Sequence, residues 1–313
     1  MAFRSVVVQS NGANIGLHAH GKATEPFDGR LNLFNRAKSF DVRKTGVVVM
    51  QCAAKFFADR DFQRKVTGVA AADVAKLVKS RGKGDEGLAG LLSRSRPVVS
   101  CDMRGQVIRG TRVDSAERAN FTIDKYMDDI EAIRKNLGSE QLALCAYSPG
   151  GFFAAHYAIR NPHRVSALVL IEPAIYTEKD DLVQRAKLAE DGDGVKSMEA
   201  MLSYVDPTLD AGTRYQMAVN IVADWQSPEI IGHVYRLHAE APITDAMLEP
   251  LRKIPVLMIG GTNSAMSFHI KRIAAAVPEA TVWWIKGADH LSLMNKQNCE
   301  QIASVVESFL GTR

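Results

Sequence analysis

The apolar positions of this chain fall into two kinds of pattern. Six short runs are continuous: Gly46–Met50, Pro97–Cys101, Leu142–Ala146, Ala167–Ile171, Val256–Ile259 and Val282–Ile285. Each is mostly β-branched or aliphatic, the composition of strands buried on both faces of a parallel sheet. Between them the apolar period lengthens. Tyr126, Ile130, Ile133 and Leu137 follow a 4-3-4 spacing that lines one helix face, and Gly138 ends that helix. A last helix starts near Gln297 and turns Ile302, Val305, Val306 and Phe309 inward. Ahead of the first run, Ser5–Gln9 and Asn14–His20 flank Asn11-Gly12, which predicts a hairpin. A connection containing Gly, Pro and Asp follows, from about Gly21 to Lys44.

Strand alternating with helix predicts an α/β fold: a mainly parallel central sheet flanked by helices, with right-handed crossovers. The alternation breaks once. About 80 residues between Glu172 and Ile254 hold no strand candidate, while Met217, Ile221 and Trp225 recur every four residues and Ile231, Tyr235 and His238 follow. The chain therefore divides into a core, residues 1–172 and 254–313, and a helical cap inserted at 173–253.

Composition agrees with one sizeable domain plus an insertion: 313 residues, 46% hydrophobic. A net charge of +4 from 39 basic and 35 acidic residues is not a nucleic-acid footprint. The basic stretch Lys79–Gly84 runs straight into Asp85 and Glu86 and reads as a solvated loop. Cys52, Cys101, Cys145 and Cys299 are far apart, with no pair at metal-ligand spacing, which fits a reduced compartment. The N-terminus lacks the apolar length and cleavage site of a signal peptide, and no run nears the roughly 20 apolar residues of a membrane span. The expectation is a cytoplasmic protein that binds a small-molecule substrate, not nucleic acid or membrane. Its oligomeric state is not written in the sequence.

The chemistry concentrates in Leu142-Ala143-Leu144-Cys145-Ala146-Tyr147-Ser148-Pro149-Gly150-Gly151-Phe152-Phe153. A buried strand enters, a tight turn carries a hydroxyl between small residues, and an apolar helix leaves. That is the context a G-x-S-x-G nucleophile elbow requires, with Ala146 in place of the first glycine. A lone S-x-G-G is otherwise only a turn; the segments around it decide. Pro97-Val98-Val99-Ser100-Cys101-Asp102-Met103-Arg104-Gly105, Phe121–Asp129, Asn161-Pro162-His163-Arg164-Val165 with the run to Glu172-Pro173, and Gly287-Ala288-Asp289-His290 all occur in order. In these segments the chain resembles the α/β-hydrolase superfamily from roughly Gly46 to Phe309. The resemblance implies Ser148 as nucleophile and His290, 142 positions later, as its base. His156 and His163 read as ordinary structural residues.

Three departures from the family pattern stand out. The loop after Val256–Ile259 reads Gly260-Gly261-Thr262-Asn263-Ser264-Ala265 and offers no carboxylate. Glu172, at the end of the strand after the elbow, takes that place as the candidate that orients His290; Asp289 is a weaker one. Pro149 follows the nucleophile, where the family uses a backbone N–H toward the oxyanion, and proline has none. The usual His-Gly after the first central strand is here Gln51-Cys52-Ala53, leaving the Cys52 or Ala53 amide as the remaining oxyanion donor. Gln51, Tyr147 and Trp225 are candidate substrate-binding residues.

These features read as a serine-dependent hydrolase or acyl-transfer enzyme for an ester, thioester or lactone of a largely apolar molecule, with no metal or organic cofactor. Two alternatives keep the fold: a lyase or cofactor-free oxygenase, or a degenerate member that binds ligand without turnover.

Overall fold

The structure, a computed structural model, describes residues 4–20, 47–51 and 87–311. The connection expected from Gly21 to Lys44, the basic stretch Lys79–Gly84, and Cys52 and Ala53 lie outside the described residues.

One nine-stranded sheet organises the chain. Its strands are β1 (Arg4–Ser10), β2 (Ala13–His20), β3 (Val47–Gln51), β4 (Val98–Cys101), β5 (Arg112–Val113), β6 (Leu142–Tyr147), β7 (Val165–Ile171), β8 (Val256–Gly261) and β9 (Thr281–Ile285). They lie in the order β1-β2-β4-β3-β6-β7-β8-β9, with β5 on β2. The hairpin β1-β2 turns at Asn11-Gly12, and β2 joins β4 antiparallel. From β4 to β9 every pairing is parallel. The two-residue β5 is too short to leave a periodic signal in the sequence.

The continuous apolar runs are the central strands, where both faces meet protein. On β6, Leu144 and Ala146 face one hydrophobic layer, while Ala143, Cys145 and Tyr147 face the other. On β7, Leu168 and Leu170 alternate in the same way with Ala167, Val169 and Ile171. At the sheet edge this double burial stops: β9 leaves Trp283 about half exposed. The described cysteines Cys101, Cys145 and Cys299 are buried thiols.

The helices that position the site flank this sheet. Helix α1 (Leu88–Leu92) packs beside β4. Helix α2 (Ile123–Asn136) starts on Thr122, whose hydroxyl accepts the Lys125 N–H, and stops where Gly138 takes a left-handed φ of 63°. Helix α3 (Pro149–Arg160) leaves the end of β6 with proline at its first position.

Between β7 and β8 run α4 (Lys179–Glu190), α5 (Gly194–Val205), α6 (Ala211–Val222) and α7 (Pro228–Glu240). Asp193 and Asp210 cap α5 and α6 by accepting the Lys196 and Thr213 N–H groups. The four-residue spacing that joins Met217, Ile221 and Trp225 outruns its helix. Trp225 lies beyond α6 and bridges Gln106 in antiparallel fashion. A 3₁₀ segment, Asp245–Lys253, leads back to the sheet; Pro250 inside it cannot donate an α-helical hydrogen bond. Helix α8 (Ser267–Ala276) separates β8 from β9, and α9 (Lys296–Gly311) ends the described chain.

Candidate active site

Two backbone distortions mark the site. Ser148, with φ 55° and ψ −127°, and Glu172, with φ 44°, are the two non-glycine residues of positive φ among the described residues. They stand just past the C-terminal ends of the neighbouring strands β6 and β7. Such a conformation disfavours a residue with a Cβ and persists only when its surroundings over-determine it. Here they do. The Ser148 N–H donates to the Ile171 carbonyl (3.0 Å), and the Ser148 carbonyl accepts from Gly151 (2.9 Å) and Ala174 (3.0 Å). The Glu172 N–H donates to the Ile259 carbonyl at 2.9 Å.

The elbow also needs room. A Cβ on Gly151 would meet the Pro173 Cβ at 2.6 Å, so a side chain there would push the helix off the strand that follows. Ala146, two residues before Ser148, is buried.

Ser148, His290 and Glu172 form one hydrogen-bonded chain. The Ser148 Oγ lies 3.0 Å from His290 Nε2, and His290 Nδ1 lies 3.2 Å from Glu172 Oε2. A carboxylate can only accept, so Nδ1 carries the proton and Nε2 is left to accept from the serine hydroxyl. All three residues are buried, Glu172 completely. Its carboxylate has two further donors: the Gly261 N–H at 2.8 Å on Oε1, and the Ser264 hydroxyl on Oε2. Ser264 also accepts the Met266 N–H at 3.0 Å. The loop after β8, which lacks an acid, thus supplies donors that hold an acid delivered from β7. Ser264 carries no sequence signal of its own.

Asp289 is turned elsewhere. Its Oδ1 accepts the Ser292 N–H at 2.8 Å, in the turn that follows the histidine. Tyr147 supports His290. Its hydroxyl donates to the His290 carbonyl (2.7 Å) and its ring stacks on the imidazole at 5.0 Å, although part of it still borders the cavity. Gln51 ends β3 opposite Tyr147.

The Asp102-Met103-Arg104-Gly105 turn organises the neighbouring loop. Arg104 forks onto Asp129 of α2 (2.9 and 2.5 Å), and Asp102 accepts from the Arg109 backbone (2.7 Å) and guanidinium (3.0 Å). The loop then docks on the segment after α6, through Gln226 N–H to the Gly105 carbonyl and Val107 N–H to the Asp224 carbonyl. That contact seats Trp225 at the cavity.

A cavity partly open to solvent lies over Ser148 and His290. Helices α4 to α7 provide most of its wall, largely with apolar side chains such as Leu182, Met198, Ile221 and Val234. Pro149 is in the wall and brings no N–H to it. Two buried histidines stand nearby. Burial, then the nearby His156, pushes His238 down to about 3; burial, then the nearby His290 and Arg272, does the same for His269. His269 accepts the Tyr176 N–H on Nδ1 at 3.0 Å. No described helix is long and apolar enough to cross a membrane.

Comparison with known proteins agrees with this geometry. Residues 81–200 match the family described as alpha/beta hydrolase fold. Over 98 residues, 31% of this chain and 28% of the other, the chain is 34% identical to the 1-acylglycerol-3-phosphate O-acyltransferase ABHD5 of Sus scrofa. It is 32% identical over 111 residues to Lipase LipV of Mycobacterium tuberculosis, 35% of this chain and 38% of that one. These matches span about a third of each relative's length. Among solved structures, the carboxylesterase CesB of Bacillus subtilis superposes with a TM-score of 0.63 at 17% identity, covering 100% of this chain and 93% of that one. The enol-lactonase of Burkholderia xenovorans gives 0.65 at 17% identity, covering 97% and 99%. Sheet order and the likeness to these solved structures give the chain the α/β-hydrolase fold, and residues 81–200 match the model of that family.

Proposed function

We propose that the protein is a serine-dependent hydrolase or acyl-transfer enzyme acting on an ester, thioester or lactone of a largely apolar small molecule. The observation that carries this reading is the 3.0 Å contact between the Ser148 Oγ and His290 Nε2. A serine hydroxyl is a weak nucleophile until a positioned base takes its proton. His290 accepts that proton as Oγ attacks the acyl carbon, and the imidazolium then faces the Glu172 carboxylate. The leaving alcohol or thiol takes the proton from His290 Nε2 as the tetrahedral intermediate collapses to an acyl-serine. Water or an acceptor alcohol, deprotonated by the same nitrogen, releases the acyl group and restores Ser148. Every step uses this chain's own side chains and needs neither a metal nor an organic cofactor.

The oxyanion receives help from one side only. Pro149 brings no N–H, so the Cys52 or Ala53 amide is the proposed donor. Losing one donor typically lowers the rate by about 10²–10³. The helices at 173–253 act as a cap on the core formed by 1–172 and 254–313, and their apolar wall, with Trp225, selects the substrate. The acyl chemistry in the names of the relatives and neighbours supports the same class.

Pro149 favours a second reading. Lyase or cofactor-free oxygenase chemistry, in which the Ser148–His290 pair binds or deprotonates a substrate, makes less demand on an oxyanion donor, as does ligand binding without turnover. A fluorophosphonate probe separates the readings. Labelling of the wild type that is lost in Ser148→Ala supports the hydrolase; a folded, unlabelled wild type rules it out.

A further inference from the structure

We infer that the substrate carries a free carboxylate in addition to its scissile acyl bond, and that Arg185 in the cavity wall binds it. The inference rests on the hydrolase reading for the acyl bond. It stands on separate observations for the anion.

Arg185 sits in the middle of α4 and is 3% exposed, yet it borders the cavity. Arginine and lysine almost never bury fully unless they are paired. The pairing here is thin. A guanidinium has five N–H donors, and the one side-chain hydrogen bond it makes runs from Nη2 to Asp181, one turn earlier and partly exposed. Its Nε is buried with no hydrogen-bond partner. The rings of Tyr204 and Tyr235 lie 4.9 and 5.9 Å from the guanidinium carbon, so they serve its flat face and leave its donor edge unanswered.

A second buried donor in the same wall points the same way. The Trp225 Nε1 is buried without a partner, and an indole nitrogen can only donate. The His238 Nε2 is also buried and unpartnered, and the neutral ring can turn a donor or an acceptor toward a ligand through its choice of tautomer. Unmet donors in an otherwise apolar wall are a standing cost to the empty protein. A ligand with acceptor oxygens removes that cost.

The charge count narrows the anion. Arg185 is the one Lys or Arg among the described residues that line the cavity, and Asp181 already stands against it. A dianion would meet the Asp181 carboxylate with no second cation among the described lining residues to offset it. A carboxylate carries one charge, and its two oxygens match the planar fork of a guanidinium.

The test uses p-nitrophenyl half-esters of succinate, adipate and suberate beside their methyl-capped neutral counterparts. Wild type should prefer the best half-ester over its capped partner by at least ~10-fold in kcat/KM, the scale of one charge-assisted hydrogen bond. Arg185→Gln should bring that ratio to near one. Asp181→Asn should raise the ratio, because it frees the guanidinium; a purely structural Arg185 would not respond in that direction. Calorimetric titration of wild type and Arg185→Gln with monomethyl suberate reads the anion site without turnover. If Ser148 takes no fluorophosphonate and neither ester is cleaved, the hydrolase reading falls while the titration still decides Arg185. Equal ester rates and equal binding in wild type and Arg185→Gln overturn the inference. Should Arg185→Gln fail to fold, an unchanged ratio or affinity in Asp181→Asn overturns it instead.

Discussion

Glu172 and His290, 118 residues apart in sequence, meet at 3.2 Å between Oε2 and Nδ1. The carboxylate comes from the end of β7, and the loop after β8 turns the Gly261 N–H and the Ser264 hydroxyl onto it. A buried acid held by three donors can keep one imidazole tautomer and offset the charge that forms on it.

Glu172→Gln should therefore lower kcat by about 10²–10⁴ while the fold persists, since an amide still fits but cannot offset the imidazolium. Ser264→Ala removes a donor that Glu172 partly replaces with Gly261 and His290, and should cost about 1 kcal/mol, or roughly ten-fold in rate. Steady-state kinetics with a p-nitrophenyl ester, beside circular dichroism, checks both. Equal activity in Glu172→Gln would remove Glu172 from the mechanism.

The turn after Ser148 predicts an unusual gain of function. Pro149→Ala restores the backbone N–H that proline lacks, while Ser148 keeps its anchors to Ile171, Gly151 and Ala174. Hydrolysis should rise by about 10-fold or more, up to the 10²–10³ that one oxyanion donor is worth. Stability should fall by about 0.5–1 kcal/mol, because proline suits the first position of a helix and limits the unfolded chain. Burst and steady-state rates read the first effect and urea unfolding the second.

The sequence carried the strands well where both faces are buried. The six continuous runs correspond to β3, β4, β6, β7, β8 and β9; in β4, β6, β7 and β8 double burial leaves little polar to interrupt them. It carried β5 poorly, since two residues hold no period. Trp225 followed the helix spacing of Met217 and Ile221 but stands outside the helix, drawn off by its bridge to Gln106. The candidates Ser148, His290 and Glu172 were readable because elbow and loop chemistry is local. Ser264 and Arg185 were not, because their significance arises only when distant segments meet. Tyr147, a candidate for the substrate, borders the cavity, and its hydroxyl donates to the His290 carbonyl. A side chain's direction at a strand end is set by tertiary packing.

Away from the reacting groups, the buried Arg104–Asp129 pair should govern stability. Both guanidinium contacts are lost in Asp129→Ala, leaving an uncompensated charge in a fully buried position. The expected loss is about 3–5 kcal/mol, seen as a lower urea midpoint. Asp129→Ala with Arg104→Met together should recover part of it.

Between pH 7 and pH 5 acid should destabilise the fold through three buried histidines, offset in part by Asp224, whose carboxyl burial and the nearby Asp102 raise to about 7. His156, His238 and His269 are held neutral, lowered from 6.5 to about 4, 3 and 3, with burial the largest cause at each. The unfolded chain therefore binds more protons below about pH 6.5, and stability falls as pH drops through that value toward the folded ones. Each histidine should remove up to about 2 kcal/mol by pH 5. Urea unfolding between pH 7 and pH 5 measures the slope, and His238→Phe should reduce it by about one proton.

The central claim is that Ser148 is a nucleophile activated by His290. Peptide mapping by mass spectrometry after timed exposure to a fluorophosphonate, on wild type and His290→Ala, tests it most directly. The account predicts a single adduct on Ser148 that forms at least ~10³-fold more slowly in His290→Ala. An adduct on another residue, or an unchanged rate without His290, would contradict it.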